Sequence, residues 1–117
     1  MLKVLLVLLY LNNANANNCN PSSYYTNAER FCFSAQFKSY LSENCAKKNC
    51  LALSFLTKAK KIESHQLVFT DSRHRGAKIC GLVGGETFVA SHLSSGDQIC
   101  MCKALDGSAL SCASLSF

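Results

Sequence analysis

The sequence predicts an α+β fold: a small disulfide-stabilised single domain in which N-terminal helices are followed by a short antiparallel β-meander. The chain of 117 residues contains 8 cysteines, 49% hydrophobic residues and one proline. Apolar residues recur at helical spacing in the first half, whereas the last third consists of short β-prone runs separated by turn residues. The length suits one domain, and a charged fraction of only 16% excludes a disordered linker.

Residues 1–16 have the organisation of a secretory signal peptide. Lys3 precedes an unbroken apolar run from Val4 to Leu11, and small and polar residues follow as far as Ala16. The run is too short to cross a bilayer, which takes roughly 20 helical residues. We therefore expect cleavage near Ala16 and a secreted or periplasmic, disulfide-rich domain over residues 17–117.

The segment 26–62 is predicted to be helical. Thr26 and Glu29 have the spacing of a capping box, in which the threonine hydroxyl and the glutamate satisfy backbone amides at the start of a helix. Apolar residues then recur every three to four positions. These features predict a first helix over about 27–41.

A second amphipathic helix is predicted over about 46–62. Its early part, 51–57, also fits a buried strand, and the sequence leaves that alternative open. In the helical interpretation one face carries Leu51, Phe55, Ala59 and Ile62.

Residues 66–85 are predicted to mix strand and helix. Gln66–Thr70 is rich in β-branched and aromatic residues, and Asp71–Ser72 suits a turn or a helix N-cap. A short helix through Cys80 should end at Gly84–Gly85, because glycine adopts left-handed dihedral angles at little cost.

The region 86–113 is predicted to form β-hairpins. Asp106–Gly107 lies between two β-prone runs, which is a strong local signal for a hairpin turn. The predicted strands are 87–90, 98–103 and 108–112, with a further turn at 94–97.

The even number of cysteines predicts four disulfides in an exported chain. Cys100 and Cys102 lie on the same side of one predicted strand, about 6.6 Å apart at Cα, which is near the limit for bridging. Each should therefore bond a different partner, and the remaining pairing stays open. A metal site is disfavoured because a second pair with zinc-ligand spacing is lacking. The cysteines are Cys19, Cys32, Cys45, Cys50, Cys80, Cys100, Cys102 and Cys112.

Two stretches, CGLVGG from Cys80 and CKALDG from Cys102, resemble a family of small bacterial exported domains of unknown function, often labelled hemolysins. That family carries C-x3-G-G and then C-x3-D-G at a similar separation, and the match covers about forty residues from Ala77 onward. Family members place an Asn-Pro-Ala-Ser-like stretch just before the first cysteine, whereas here Asn20–Ser23 lies far upstream. The resemblance implies an exported, cystine-stabilised fold and supplies no catalytic residue.

The positive charge is concentrated in one segment. The whole chain has a net charge of +5. The segment from Lys47 to Lys78 contains eight basic residues and only two acidic ones. If folding gathers them, they form an anion-binding patch; the same residues also fit an ordinary solvated helix face, and both interpretations stay open. The basic residues are Lys47, Lys48, Lys58, Lys60, Lys61, Arg73, Arg75 and Lys78.

No catalytic motif is recognisable. The three histidines, His65, His74 and His92, lack the spacing of metal-binding motifs, the serines lack a G-x-S-x-G elbow, and an even cysteine count leaves no spare thiol. We therefore predict no catalytic residue, no metal, no cofactor and no enzymatic activity. Nucleic-acid binding is disfavoured because aromatic residues do not interleave with the basic ones.

These observations favour a non-enzymatic binding or inhibitory module in the periplasm or outside the cell. Its expected partner is an unidentified protein or an anionic component of the cell envelope. The alternative is a cationic, membrane-active, hemolysin-like protein that makes peripheral membrane contact, and a small secreted hydrolase is less favoured. The oligomeric state is left open by the sequence.

Overall fold

The computed structural model describes residues 19–26, 29–47, 50–67 and 74–116, so the predicted signal peptide lies outside the described residues. The strands within these ranges are β1 (Cys19–Thr26), β2 (Glu29–Ser34), β3 (Ser39–Ser42), β4 (Glu86–His92), β5 (Gln98–Lys103) and β6 (Ala109–Ser111). They form one antiparallel sheet that closes on itself as a small barrel, in the order β1-β2-β3-β6-β5-β4. The closure joins β1 to β4, where Tyr24 pairs with His92.

The helices of the described ranges are α1 (Glu43–Lys47), α2 (Leu51–Lys60) and α3 (Arg75–Leu82), with 3-10 turns at Ser64–Leu67 and Cys112–Leu115. The α+β class and its stabilisation by disulfides are confirmed. The predicted order is wrong, because within the described ranges three strands precede the first helix.

The helix predicted over 27–41 is wrong, since the described residues from Glu29 onward form β2, a turn and β3. Thr26 and Glu29, which have capping-box spacing, are instead directly paired between β1 and β2. Phe31 and Cys32 are both buried but belong to different hydrophobic clusters, as expected for neighbours in a strand. The aromatic residues of this segment favour a pleated surface, and this preference prevails over the three-to-four spacing.

The later elements agree better with the sequence. Helix α2 lies within the predicted range 46–62, so the alternative strand over 51–57 does not form. Gln66 and Leu67 belong to a 3-10 turn rather than to the predicted strand, and residues 68–73 lie outside the described part of the chain. Helix α3 ends before Gly84–Gly85 as predicted, and β4, β5 and β6 match the predicted strands closely.

The closed sheet separates two hydrophobic clusters. On β5, Met101 packs with Phe31, Ala90 and Ala109 in the smaller cluster. Its neighbour Cys102 packs in the larger cluster, which also contains buried residues of α2 and α3. Because successive residues of a strand point to opposite faces, the smaller cluster fills the inside of the sheet and the larger one lies under the helices.

Three disulfides link the helices and turns to one another or to the sheet. They are Cys45–Cys50, which joins α1 to the start of α2, Cys80–Cys102, which joins α3 to β5, and Cys100–Cys112, which joins β5 to the last 3-10 turn. The two cysteines of β5 therefore have different partners, as predicted. Cys32 is disulfide-bonded as well, and no described cysteine is free. The side chain of Cys19 lies outside the described residues, so a fourth pairing stays a prediction.

The spacing of CGLVGG follows from the way α3 ends. The Gly85 N–H donates to the Cys80 carbonyl at 2.8 Å and the Gly84 N–H donates to the Gly81 carbonyl at 3.2 Å, which together form a Schellman motif. Gly84 has φ +94°, a conformation that favours glycine. At Gly85 an added Cβ would lie 2.4 Å from Sγ of Cys102 and 2.8 Å from Sγ of Cys80. The second glycine is therefore required by the disulfide packed against it.

The residues after CKAL cap helix α2. The Asp106 carboxylate accepts the Leu51 backbone N–H at 3.0 Å, and the Ser108 hydroxyl oxygen accepts the Ala52 backbone N–H at 3.0 Å. Cys50, at the N-cap position, makes no side-chain cap hydrogen bond. The β5–β6 turn thus satisfies two of the amides that a helix start leaves without intrahelical partners. This contact sets the direction in which α2 leaves the sheet.

We expect Gly85→Ala to lower the free energy of unfolding by about 1–3 kcal/mol, because its methyl group overpacks the Cys80–Cys102 bond. Gly81→Ala is the matched control: it lies in the same helix, an added Cβ meets nothing within 4 Å, and alanine should raise stability by up to about 1 kcal/mol. Urea unfolding of the oxidised proteins measures both. Equal stabilities for the two variants would contradict this assignment.

The pH dependence of stability should report the Asp106 cap. Hydrogen bonds from the Ser108 hydroxyl and the Leu51 backbone N–H lower the pKa of Asp106 from its ordinary 3.8. A depressed folded-state pKa contributes stability above the unfolded-state pKa of about 3.9, and this contribution is lost as pH falls through the folded-state pKa.

Asp106→Asn should therefore reduce the free energy of unfolding at neutral pH by at most about 1 kcal/mol, the size of a helix cap, because solvent screens the exposed carboxylate. The difference from the wild type should shrink below about pH 4. Asp97→Asn, in the turn between β4 and β5, is the control. A difference between wild type and Asp106→Asn that stays constant down to pH 2 would show that the carboxylate charge makes no contribution to the cap.

Candidate anion-binding cavity

A cavity of about 190 Å³ lies beside the last turn of α2, the Ser64–Leu67 turn, the first turn of α3 and the C-terminal 3-10 turn. The lining residues are contributed by all four elements, so the cavity exists only in the folded chain. They are Ala59, Lys60, Ile62, Leu67, Arg75, Ile79 and Leu115.

The last turn of α2 places one wall of the cavity. Ala59 is buried in the helix-facing cluster, and its carbonyl accepts the Ile62 N–H at 3.1 Å as the helix ends. The Lys61 N–H donates to the Lys58 carbonyl at 3.1 Å. These bonds fix the backbone on both sides of Lys60, whose side chain is exposed and lines the cavity.

The opposite wall depends on a close contact between α3 and the C-terminal turn. A Cβ added to Gly76 would lie 2.2 Å from the carbonyl oxygen of Cys112, so only glycine permits this approach. Arg75, the preceding residue, is half-buried and lines the cavity together with Ile79 and Leu115, which are 2% and 0% exposed.

The polar side chains of the lining are both cationic. Lys60 and Arg75 carry positive charge, and the other lining residues are aliphatic, so no acidic side chain belongs to the described lining. Within the described part of the chain, the Nε atom of Arg75 is buried and has no hydrogen-bond partner. A buried donor left unpaired is costly, and such a group in a native structure calls for a water molecule or a ligand.

The structure brings together part of the predicted basic patch. Lys60 and Arg75, which are distant in sequence, line the same cavity. Lys58 lies with its ammonium 5.7 Å from the centre of the Phe55 ring, and Lys61 and Lys78 are exposed. Outside the described residues lie the side chain of Lys47, together with Lys48 and Arg73.

Two of the three histidines have local contacts, and His74 is exposed at the start of α3. His65 lies 3.2 Å from the Glu63 carboxylate in a pair that is about three-quarters exposed, with side-chain exposures of 74% and 73%. His92 accepts the Ser94 and Ser95 backbone N–H groups at Nδ1, at 3.3 and 3.2 Å, and so stabilises the β4–β5 turn. Across the described ranges, no group of three His, Cys, Asp or Glu side chains is arranged to hold a metal ion.

The aliphatic walls were missed by the sequence analysis. Leu67 and Leu115 come from short 3-10 turns without a periodic pattern, so no local signal places them together. Comparison of the chain with protein-family models, curated proteins and solved structures finds no match. The chemistry of the cavity is therefore inferred from its own described residues, of which Lys60 and Arg75 are cationic and the others aliphatic.

Proposed function

We propose that this chain is a non-enzymatic binding module of an oxidising compartment, the periplasm or the cell exterior, and that it recognises an anionic partner through the surface around Lys60 and Arg75. The observation that carries the proposal is the convergence of Lys60 and Arg75 on one cavity whose described lining has no acidic side chain. An anion at this surface would meet the positive charges of both side chains.

The disulfides support the choice of compartment. Two bonds connect α3 and the last 3-10 turn to the sheet, and a third joins α1 to the start of α2; such bonds persist where the surroundings are oxidising. They also favour binding over turnover, because the described cysteines are all bonded and none offers a thiol nucleophile. An acidic protein or an anionic component of the cell envelope is the partner that this surface would attract.

Binding of fluorescent poly-glutamate, measured by anisotropy, tests the proposal. We expect binding at about 20 mM NaCl that weakens strongly at about 500 mM, because salt screens exposed charges. The double variant Lys60→Gln/Arg75→Gln should weaken binding by about tenfold or more. Lys38→Gln/Lys103→Gln is the control, since it removes the same net charge at two exposed positions that do not line the cavity.

Equal losses in the two double variants would show that only total charge matters and would contradict a binding surface at the cavity. Absence of binding at low salt, with a folded protein, would exclude a poly-anion as the partner class.

A second candidate function, membrane activity, is favoured by a different observation. Leu105 is 98% exposed at the β5–β6 turn, and Leu51 is 50% exposed at the start of α2. The bond from the Leu51 N–H to Asp106 places both leucines at the same end of the molecule. Exposed apolar side chains of this kind can enter the membrane interface. Among the described residues no helix has the length and apolarity needed to span a bilayer.

Vesicle leakage distinguishes the two candidates. Membrane activity predicts dye release from phosphatidylglycerol vesicles that Leu105→Ser strongly reduces and Leu93→Ser does not, although Leu93 is also 75% exposed, at the β4–β5 turn. The binding-module function predicts no release by the wild type. Release that is insensitive to Leu105→Ser would contradict insertion at this end of the molecule.

A further inference from the structure

The side chain of His92 holds the β4–β5 turn together. Its Nδ1 atom accepts the backbone N–H groups of Ser94 at 3.3 Å and of Ser95 at 3.2 Å, and it lies 3.2 Å from the Ser94 hydroxyl oxygen. A backbone N–H can only donate, so these two contacts assign the neutral tautomer that carries its proton on Nε2. The imidazole thus serves as the acceptor that an Asn or Asp side chain supplies in many turns.

The backbone of the same residue closes the turn. The His92 N–H donates to the Asp97 carbonyl at 2.7 Å, and the Gly96 N–H donates to the His92 carbonyl at 3.1 Å. The Asp97 N–H in turn donates to the Ser95 hydroxyl oxygen at 3.2 Å. Residues 94, 95, 96 and 97 are therefore all hydrogen-bonded to His92.

This turn adjoins the seam between β1 and β4 that closes the barrel. Among the described residues the two strands pair at Tyr24–His92 and Tyr25–Ser91, so both pairs involve the end of β4 that enters the turn. The Tyr24 ring packs edge-to-face with the imidazole, with ring centres 5.1 Å apart. Tyr24 also packs against the smaller cluster, which contains Met101 at 0% exposure. The Tyr24 ring therefore connects His92 to the inside of the sheet.

Protonation of the imidazole removes the acceptor on which the turn depends. An imidazolium carries N–H groups on both nitrogens, so Nδ1 becomes a donor that faces the N–H groups of Ser94 and Ser95. Histidine is the side-chain type that gains its charge as pH falls from about 8 to about 5. The hydrogen bonds to Nδ1 are therefore present in the neutral form and are lost on acidification. An ion pair made by a histidine has the opposite pH dependence.

Other titratable groups lie on β4, in its turn and on the elements that pack most closely against it. They are Tyr24 and Tyr25 on β1, Lys103 on β5, Arg75 and Lys78 on α3, Glu86 on β4 and Asp97 in the turn. Glu86 pairs with Lys103 at the opposite end of β4 from His92. Asp97 is exposed, so salt screens the attraction of its carboxylate for an imidazolium.

We propose that His92 is an acid-sensitive latch. Its neutral imidazole holds the β4–β5 turn and the adjoining β1–β4 seam closed, and its protonation loosens both and uncovers the smaller cluster. This device is separate from the anion-binding cavity, whose described lining does not include His92. It goes beyond the proposed function, because the chain would present an additional apolar surface only in acidic surroundings.

Oxidation of Met101 by hydrogen peroxide tests the latch, because this buried thioether becomes a sulfoxide only when the oxidant reaches the smaller cluster. Mass spectrometry follows the initial rate at about pH 7.5 and about pH 5.5, in about 150 mM NaCl. The variant His92→Asn supplies an oxygen acceptor for the same N–H groups and does not titrate. At the lower pH we expect the rate to rise at least about threefold in the wild type and to stay within about 1.5-fold in His92→Asn.

Two controls separate the latch from other effects of acid. His65→Asn removes an exposed histidine paired with Glu63 and should leave the rise in Met101 oxidation unchanged. Urea unfolding at both pH values gives the change in the unfolding equilibrium of the whole chain. A rise in oxidation that exceeds this change reports local opening of the barrel.

NMR of the wild type tests the latch without any substitution and decides the matter if His92→Asn does not fold. The nitrogen signals of the imidazole should show the Nε2–H tautomer at about pH 8, and the amide signals of Ser94 and Ser95 should shift as His92 becomes protonated. An Nδ1–H tautomer, or amide signals that do not follow this protonation, would remove the basis of the latch.

The other contrary results are equally distinct. An equal rise of oxidation in the wild type and in His92→Asn would assign the acid response to another group. Slower oxidation of the wild type at the lower pH would show that attraction between the imidazolium and the Tyr24 ring outweighs the lost hydrogen bonds. A rise no larger than the change in the unfolding equilibrium would show that the seam does not open by itself.

Discussion

The bond between Cys80 and Cys102 joins the end of α3 to β5, and the backbone of Gly85 packs directly against both sulfur atoms. Three features of the backbone path depend on this disulfide. Helix α3 stops there in a Schellman motif, β4 begins immediately afterwards, and β5 leads from it into the turn that caps α2. The covalent link therefore orients both helices whose ends line the cavity.

The named residues of CGLVGG and CKALDG accordingly have structural roles. The cysteines are bonded to each other, Gly84 supplies the left-handed position and Gly85 the close approach. The Asp106 carboxylate, although exposed, accepts hydrogen bonds from the Leu51 amide and from Ser108. The two motifs therefore stabilise the scaffold. The candidate cavity is lined by residues that lie outside both motifs.

The parts of the fold that could be predicted have local signals. Gly84–Gly85 ends α3 and Asp106–Gly107 turns the last hairpin, since both turns are decided by backbone preferences within a few residues. The segment 27–41 was mispredicted because its apolar spacing fits a helix and a strand alike, and pairing with β1 and β6 decides between them. Such pairing depends on partners far away in the chain.

The same distinction applies to the candidate site. Charge counting finds Lys60 and Arg75, because charge is a property of composition. Their convergence on one cavity depends on the contact of Gly76 with Cys112, and the aliphatic walls depend on where two short turns happen to pack. Neither contact is associated with a periodic pattern in the sequence. The cavity could therefore be recognised only from the three-dimensional structure.

The cap of α2 has a consequence for the order of assembly. The amides of Leu51 and Ala52 are bonded by groups that lie 55 and 56 positions later in the chain. A helix of 10 residues is marginal in water by itself, since nucleation is unfavourable. This stretch therefore has no persistent direction until the chain as far as Ser108 is present. The wall of the cavity that Lys60 contributes accordingly forms only after the β5–β6 turn has docked on the start of α2.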